Sequence, residues 1–197
     1  MSAMAKTLSQ TNGREISWFA NPEPDHAVHF YPLDDDLLKS LTDYFSVGLK
    51  KGETCIAIAT PTHLASLNAL LRTNGINVSE AITSGQYIML DAAETLAEFM
   101  DNGNPDYQKF LSSVGRIIHL AAGKDKPIRA FGEMVSLLRE QGNQVGLIRL
   151  EEYWHDLVKE HSFSLYCGYP ESLFDDSLSH QEAINDICNC HSLALSY

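Results

Sequence analysis

No apolar run in this sequence reaches the ~20 residues that a bilayer-spanning helix needs. The first twenty residues, MSAMAKTLSQTNGREISWFA, also lack the apolar core of a secretory leader. The chain is therefore expected to stay in the cytoplasm and to have no membrane partner. Cysteine is scarce: Cys55, Cys167, Cys188 and Cys190 are the only four, and in a reducing compartment they are expected as thiols. Positive charge is scarce too. Fourteen Lys and Arg against 26 Asp and Glu give a net charge of -12, which repels a nucleic-acid backbone and an anionic membrane surface alike. Lys50-Lys51 and Lys124 to Lys126 are too short to form a binding groove.

Motifs for chemistry are missing as well. There is no G-x-S-x-G, no H-E-x-x-H and no G-x-G-x-x-G. The loop after the first β-rich run, from Tyr31 to Ser40, stands where a nucleotide-binding fold would carry G-x-x-x-x-G-K-[ST], and only Lys39-Ser40 matches. It has no glycine to let successive backbone N–H groups converge on a phosphate. Asp34, Asp35 and Asp36 sit where a helix should start, and carboxylates there occupy the positive end of the helix dipole and repel a triphosphate. They are expected to cap the helix, with a cation or polar ligand as the sharper alternative.

What is present describes one globular α/β domain. The chain has 197 residues, 44% apolar and 20% charged, enough for one sizeable core. Residues 1–25 are polar, end in Asn-Pro-Glu-Pro-Asp, and are expected as a flexible arm; residues 26–197 form the domain. Short β-rich runs at 26–31, 54–60, 86–90, 127–131 and 162–169 alternate with helical patterns at 37–49, 63–74, 107–121, 147–158 and 179–191. This alternation predicts a three-layer α/β fold, a mostly parallel sheet of five or more strands with helices on both faces. Ligands of such sheets bind beyond the strands' carboxyl ends.

That rule selects the candidate ligand-binding residues. Tyr31 and Asp34 follow the first strand, Thr60 and His63 the second, Asp91 the third, and Glu133 the fourth, after a glycine expected to allow a close turn. Glu151 is added because it shares the apolar stripe of its helix with Leu147 and Trp154, and a core-facing carboxylate must be paired or protonated. Its bland explanation is an ion pair with Arg129 or Arg149. Cys188-Asn189-Cys190-His191 does not read as zinc ligands, since one intervening residue on a helix points the two sulfurs apart. Cys188 and His191 are expected on one helix face, packed in the core. No metal, cofactor or catalytic residue is predicted.

The ordered segments His26 to Tyr31, Gly52 to Thr60, Gly85 to Ala92, Phe131 to Val135, Leu150 to Trp154 and Cys167 to Pro170 resemble the MEDS family of bacterial and archaeal sensory domains. The resemblance implies a degenerate relative of RecA/KaiC-type ATPases, without a P-loop, that senses small organic molecules, hydrocarbon derivatives among them. It also implies a protein partner, a histidine kinase or a transcription regulator. Members usually carry an output domain and this chain has none, which leaves action in trans or an excised fragment as the two explanations. The sequence leaves room for a homo-oligomer. The competing expectation is a nucleotide-binding RecA/KaiC-like ATPase with an atypical phosphate site, built from Lys39 and Ser40 with Mg²⁺ on the aspartates.

Overall fold

The computed structural model of the protein describes residues 22, 25–174 and 178–196. The arm expected over 1–25 lies outside the described residues, apart from 22 and 25. Strands β1 (His26–Tyr31), β2 (Thr54–Ala59) and β3 (Tyr87–Asp91) come first. A short antiparallel hairpin follows, β4 (Met100–Asp101) with β5 (Asn104–Pro105). Then come β6 (Ile128–Gly132), β7 (Ser164–Pro170) and β8 (Leu193–Ser196). All but the hairpin join one six-stranded sheet in the order β3-β2-β6-β7-β1-β8, and every pairing is parallel.

The helices are α1 (Asp34–Lys51), α2 (Pro61–Thr73), α3 (Val78–Thr83) and α4 (Ala92–Phe99). Next, α5 (Tyr107–Phe110) passes through a wider π turn at Leu111–Gly115 into α6 (Arg116–Ala122). The last three are α7 (Met134–Glu140), α8 (Gln144–His161) and α9 (Leu178–Asn189). Among the described residues no helix is long and apolar enough to cross a membrane.

The layering follows from strand alternation. Val28, Phe30, Ile56, Ile58, Leu165 and Tyr169 point to one face and share a core with α4 to α9. Ala27, Tyr31, Cys55, Ala57, Phe131 and Tyr166 point to the other and pack under α1 to α3. Because both faces are covered, the interior strands β1, β2 and β6 are buried at every residue, and their sequences are mostly apolar, broken by His26 and His29 on β1, Thr54 on β2 and Arg129 on β6. The edge strand β3 is only half-buried beyond Tyr87.

Local stops are chemical. Helix α1 ends at Gly52, whose φ of 79° is the left-handed conformation that frees its N–H to bond the carbonyls of Gly48 and Leu49. Helix α2 starts two residues before the expected position, with Pro61 at its first turn and Thr60 as N-cap. Gly132 has no comparable duty: its φ is not in the left-handed region, and a Cβ there would meet the Trp154 ring at an ordinary 3.6 Å. The close turn expected of it is not needed.

One buried cation fastens α1 to the sheet. Arg129, on β6 and 1% exposed, bonds the Glu53 carboxylate through Nε, donates from Nη1 to the Tyr44 carbonyl at 3.0 Å and lies 5.2 Å from the centre of the Tyr44 ring. The pairing of Arg129 with Glu151 that the sequence suggested is thereby replaced. Gly48 makes room for this side chain, since a Cβ there would sit 2.8 Å from Arg129 Cδ and Nε. We expect Gly48→Ala to destabilise the fold by roughly 1–3 kcal/mol, the usual range for overpacking. Urea denaturation measures it, and a change within 0.5 kcal/mol in either direction, about the size of an ordinary surface substitution, would show that Arg129 yields freely.

Candidate functional site

Five of the seven candidate residues converge where the strands end. Tyr31 and Asp34 after β1, Thr60 and His63 after β2, and Glu133 after β6 line a cavity of about 330 Å³, together with Thr62, Ser136, Leu137, Glu140 and Pro170. Chain topology creates the gap. Helices α1 and α2 leave β1 and β2 on one face, while α7 leaves the intervening β6 on the other, so the connections part at a switch point. A larger cavity, about 440 Å³, opens near the opposite strand ends among Gly75, Asn77, Gly85 and Lys124. Glu80, Lys124 and Lys126 are among its lining, and none of the seven candidate residues reaches it.

Within the smaller cavity Glu133 is the organiser. The Thr60 backbone N–H donates to Glu133 Oε2 at 2.8 Å, and His63 Nδ1 lies 2.6 Å from Glu133 Oε1. On the far side of the imidazole, Nε2 is 3.6 Å from Asp34 Oδ2, whose side chain is 71% exposed. The hydrogen bond to Glu133 raises the His63 pKa above its ordinary 6.5, burial pulls the other way, and the charges of Glu133 and Asp34 add to the rise. Tyr31 is held un-ionised by burial first, then by Glu133 and Asp34. The imidazole stands between an inner and an outer carboxylate, and both favour its protonated form. It can donate one hydrogen bond into the cavity once Asp34 moves aside.

This pairing has a pH signature. Because the folded-state pKa of His63 lies above the ordinary value, the stabilising contribution is complete below 6.5 and is lost as pH rises through the folded-state pKa. We expect Glu133→Gln to lower the His63 midpoint in an NMR imidazole titration. An unmoved midpoint would mean that Asp34, not Glu133, holds the proton.

The acidic turn is short. Only Pro32 and Leu33 separate β1 from α1, too little backbone to wrap a phosphate. Leu33 is the N-cap and makes no side-chain capping bond, so Asp34 to Asp36 act on the helix dipole and do not cap it as the sequence suggested. The Ser40 hydroxyl bonds the Asp36 carbonyl of its own helix at 3.0 Å, and Lys39 is exposed.

Two candidates lie elsewhere. Asp91 is the N-cap of α4, its Oδ1 accepting from the N–H groups of Ala93 and Glu94 at 2.8 and 2.9 Å, and it does not line the cavity. Glu151 is completely buried within the core beneath α4 to α9, with Tyr169 Oη donating to its Oε1 at 2.5 Å. Its Oε2 lies 3.3 Å from His26 Nε2 and 3.4 Å from His191 Nε2, and Cys167 Sγ is 3.8 Å away. These groups could hold a metal. Burial raises the Glu151 pKa, against the pull of His191, Tyr169 and Cys167. Burial likewise lowers His26 to about 3 and His191 to about 4. The Cys190 backbone draws His26 partly back.

As the first residue of a strand His26 gives no sequence signal of a site, and His191 falls within the helical pattern expected over 179–191. Helix α9 stops at Asn189, which turns His191 inward. Cys188 packs at the margin of the core, as expected, while Cys190 stays half-exposed.

A family model described as the methanogen/methylotroph, DcmR sensory domain matches residues 25–192. No curated protein sequence matches the chain significantly.

Proposed function

We infer a sensory role from a plain premise: the chain belongs to the MEDS family of sensory domains. On this reading a small, neutral or weakly polar organic molecule, such as a simple hydrocarbon derivative, enters the cavity at the strand ends. No reaction follows. The resulting change is read by a separate signalling protein, a histidine kinase or a transcription regulator.

The carrying observation is the chain from Thr60 N–H through Glu133 to His63 and on to Asp34, which links β2, α7, α2 and the start of α1. A ligand acceptor that takes His63 Nε2 displaces Asp34, so it changes how the amino end of α1 is held. That supplies the differential contact between two states that signalling needs. The volume of about 330 Å³ suits a small guest. Asp34 and Glu140 at its rim disfavour anions, nucleotides included.

Calorimetry and thermal shift with small alcohols, amines and halogenated hydrocarbons, alongside Mg²⁺ and ATP, test the reading. One chemical class should raise Tm by mass action, the effect should vanish in a His63→Ala, Glu133→Gln double variant, and ATP should give no heat. Micromolar ATP binding would overturn the reading in favour of a nucleotide-dependent protein. Small-molecule binding that survives the double variant would place the site elsewhere.

A further inference from the structure

The geometry points to a metal centre of the zinc class, held in the core beneath α4 to α9 by His26 Nε2, Glu151 Oε2, Cys167 Sγ and His191 Nε2. It lies apart from the cavity described above and does not depend on the sensory reading.

The first argument is distance. All four atoms lie within 4.8 Å of one another. His26 Nε2 is 3.3 Å from both Cys167 Sγ and Glu151 Oε2; His191 Nε2 is 3.4 Å from Glu151 Oε2, and Cys167 Sγ 3.8 Å. Zinc bonds of about 2.0–2.1 Å to nitrogen and oxygen and about 2.3 Å to sulfur put tetrahedral ligand atoms roughly 3.3–3.6 Å apart. Four of the six edges of such a tetrahedron are already near these lengths, and the other two are within 4.8 Å.

The second argument counts electron pairs. His191 Nδ1 lies 2.7 Å from the Ile187 carbonyl, which can only accept, so Nδ1 carries the hydrogen and Nε2 presents a lone pair to the cluster. That Nε2 is buried and finds no hydrogen-bond partner among the described residues. Glu151 Oε1 is occupied by the Tyr169 hydroxyl, which aims Oε2 inward. A backbone carbonyl behind one imidazole and a phenol behind the carboxylate are the outer contacts that orient metal ligands.

Charge and closure identify the ion. A thiolate and a carboxylate balance a divalent cation, and two neutral imidazoles complete the set, so the loaded site is neutral as a whole in an apolar core. Thiolate with imidazole favours zinc over magnesium or calcium. Four protein ligands with no exposed position describe a structural centre, not a catalytic one. They come from β1, α8, β7 and the segment entering β8. Binding therefore ties the sheet's last strand to its interior. The Cys-Asn-Cys run contributes only its neighbour His191; Cys188 and Cys190 stand outside the cluster.

The test uses the full chain, stripped with chelator and titrated with Co²⁺ and then Zn²⁺. One equivalent of Co²⁺ should bind, with intense tetrahedral ligand-field bands and a thiolate-to-cobalt charge-transfer band, and Zn²⁺ should displace it. Cys167→Ser should abolish the charge-transfer band. Tyr169→Phe, which keeps every ligand and removes only the phenol behind Glu151, should weaken Zn²⁺ binding by roughly 10- to 100-fold. Failure to bind either metal stoichiometrically overturns the proposal. So does a charge-transfer band that persists in Cys167→Ser, because the sulfur would then be Cys55, Cys188 or Cys190. Should Cys167→Ser not fold, the band is read in Cys55→Ser, Cys188→Ser and Cys190→Ser: retention in all three supports the site, and loss in any of them refutes it.

Discussion

Arg129→Ala should lower the unfolding free energy by roughly 3–5 kcal/mol, the cost of breaking a buried ion pair from one side. The guanidinium is almost wholly enclosed, and its removal strands the Glu53 carboxylate and takes a donor from the Tyr44 carbonyl. Against the roughly 5–15 kcal/mol that holds an ordinary domain together, this loss is large. Removing both charges is a different experiment. An Arg129→Met, Glu53→Leu double variant should cost far less than Arg129→Ala, because no charge is left buried without its partner. Chemical denaturation of the variants closes the cycle. If Arg129→Ala costs less than about 1 kcal/mol, the pair behaves like an exposed salt bridge and does not fasten α1 to the sheet.

Trp154→Ala should be comparably severe, roughly 3–5 kcal/mol. The indole lies over Gly132 of β6 and meets the Phe110 ring edge-on at a centroid distance of 5.3 Å. It thus fills the space between the sheet and two helices. Its Nε1 is buried and has no hydrogen-bond partner among the described residues. Trp154→Phe gives up volume but also relieves that unpaired donor, so it should recover most of the loss. Thermal unfolding of the two variants separates volume from polarity. Equal destabilisation by both would show that the indole N–H is satisfied after all.

The sequence showed the sheet better than its rim. Interior strands were legible because burial on both faces leaves mostly apolar residues, with His26, His29 and Arg129 the ionisable exceptions, and α1 was legible because Gly52 marks its end. Strand β8 was missed because four residues at an edge carry little pattern. Helix α4 was missed because Asp91, its N-cap, looked like a ligand residue. The same ambiguity runs through the site. Asp, Thr and His after a strand serve as caps or contacts, and only spatial convergence tells them apart: Thr60 both caps α2 through its side chain and donates to Glu133 through its backbone.

Glu151 shows a different limit. Its place on an apolar stripe announced that something must neutralise it, yet no spacing could name His26, Cys167 and His191, which stand on separate elements. A histidine heading a continuously buried strand was the available hint.

The place of β1 in the sheet also sets an order of events. It lies between β7 and β8, so residues 26–31 pair on one side with 164–170 and on the other with 193–196. Contacts that span so much of the chain close slowly, because the loop entropy is lost before the pairing rewards it. During synthesis, β1 is made well before residues 164–170 and 193–196 and must wait for them with both edges open. A buried strand in that position is exposed to wrong partners until those segments are made. The first strand of the domain is made early and placed late.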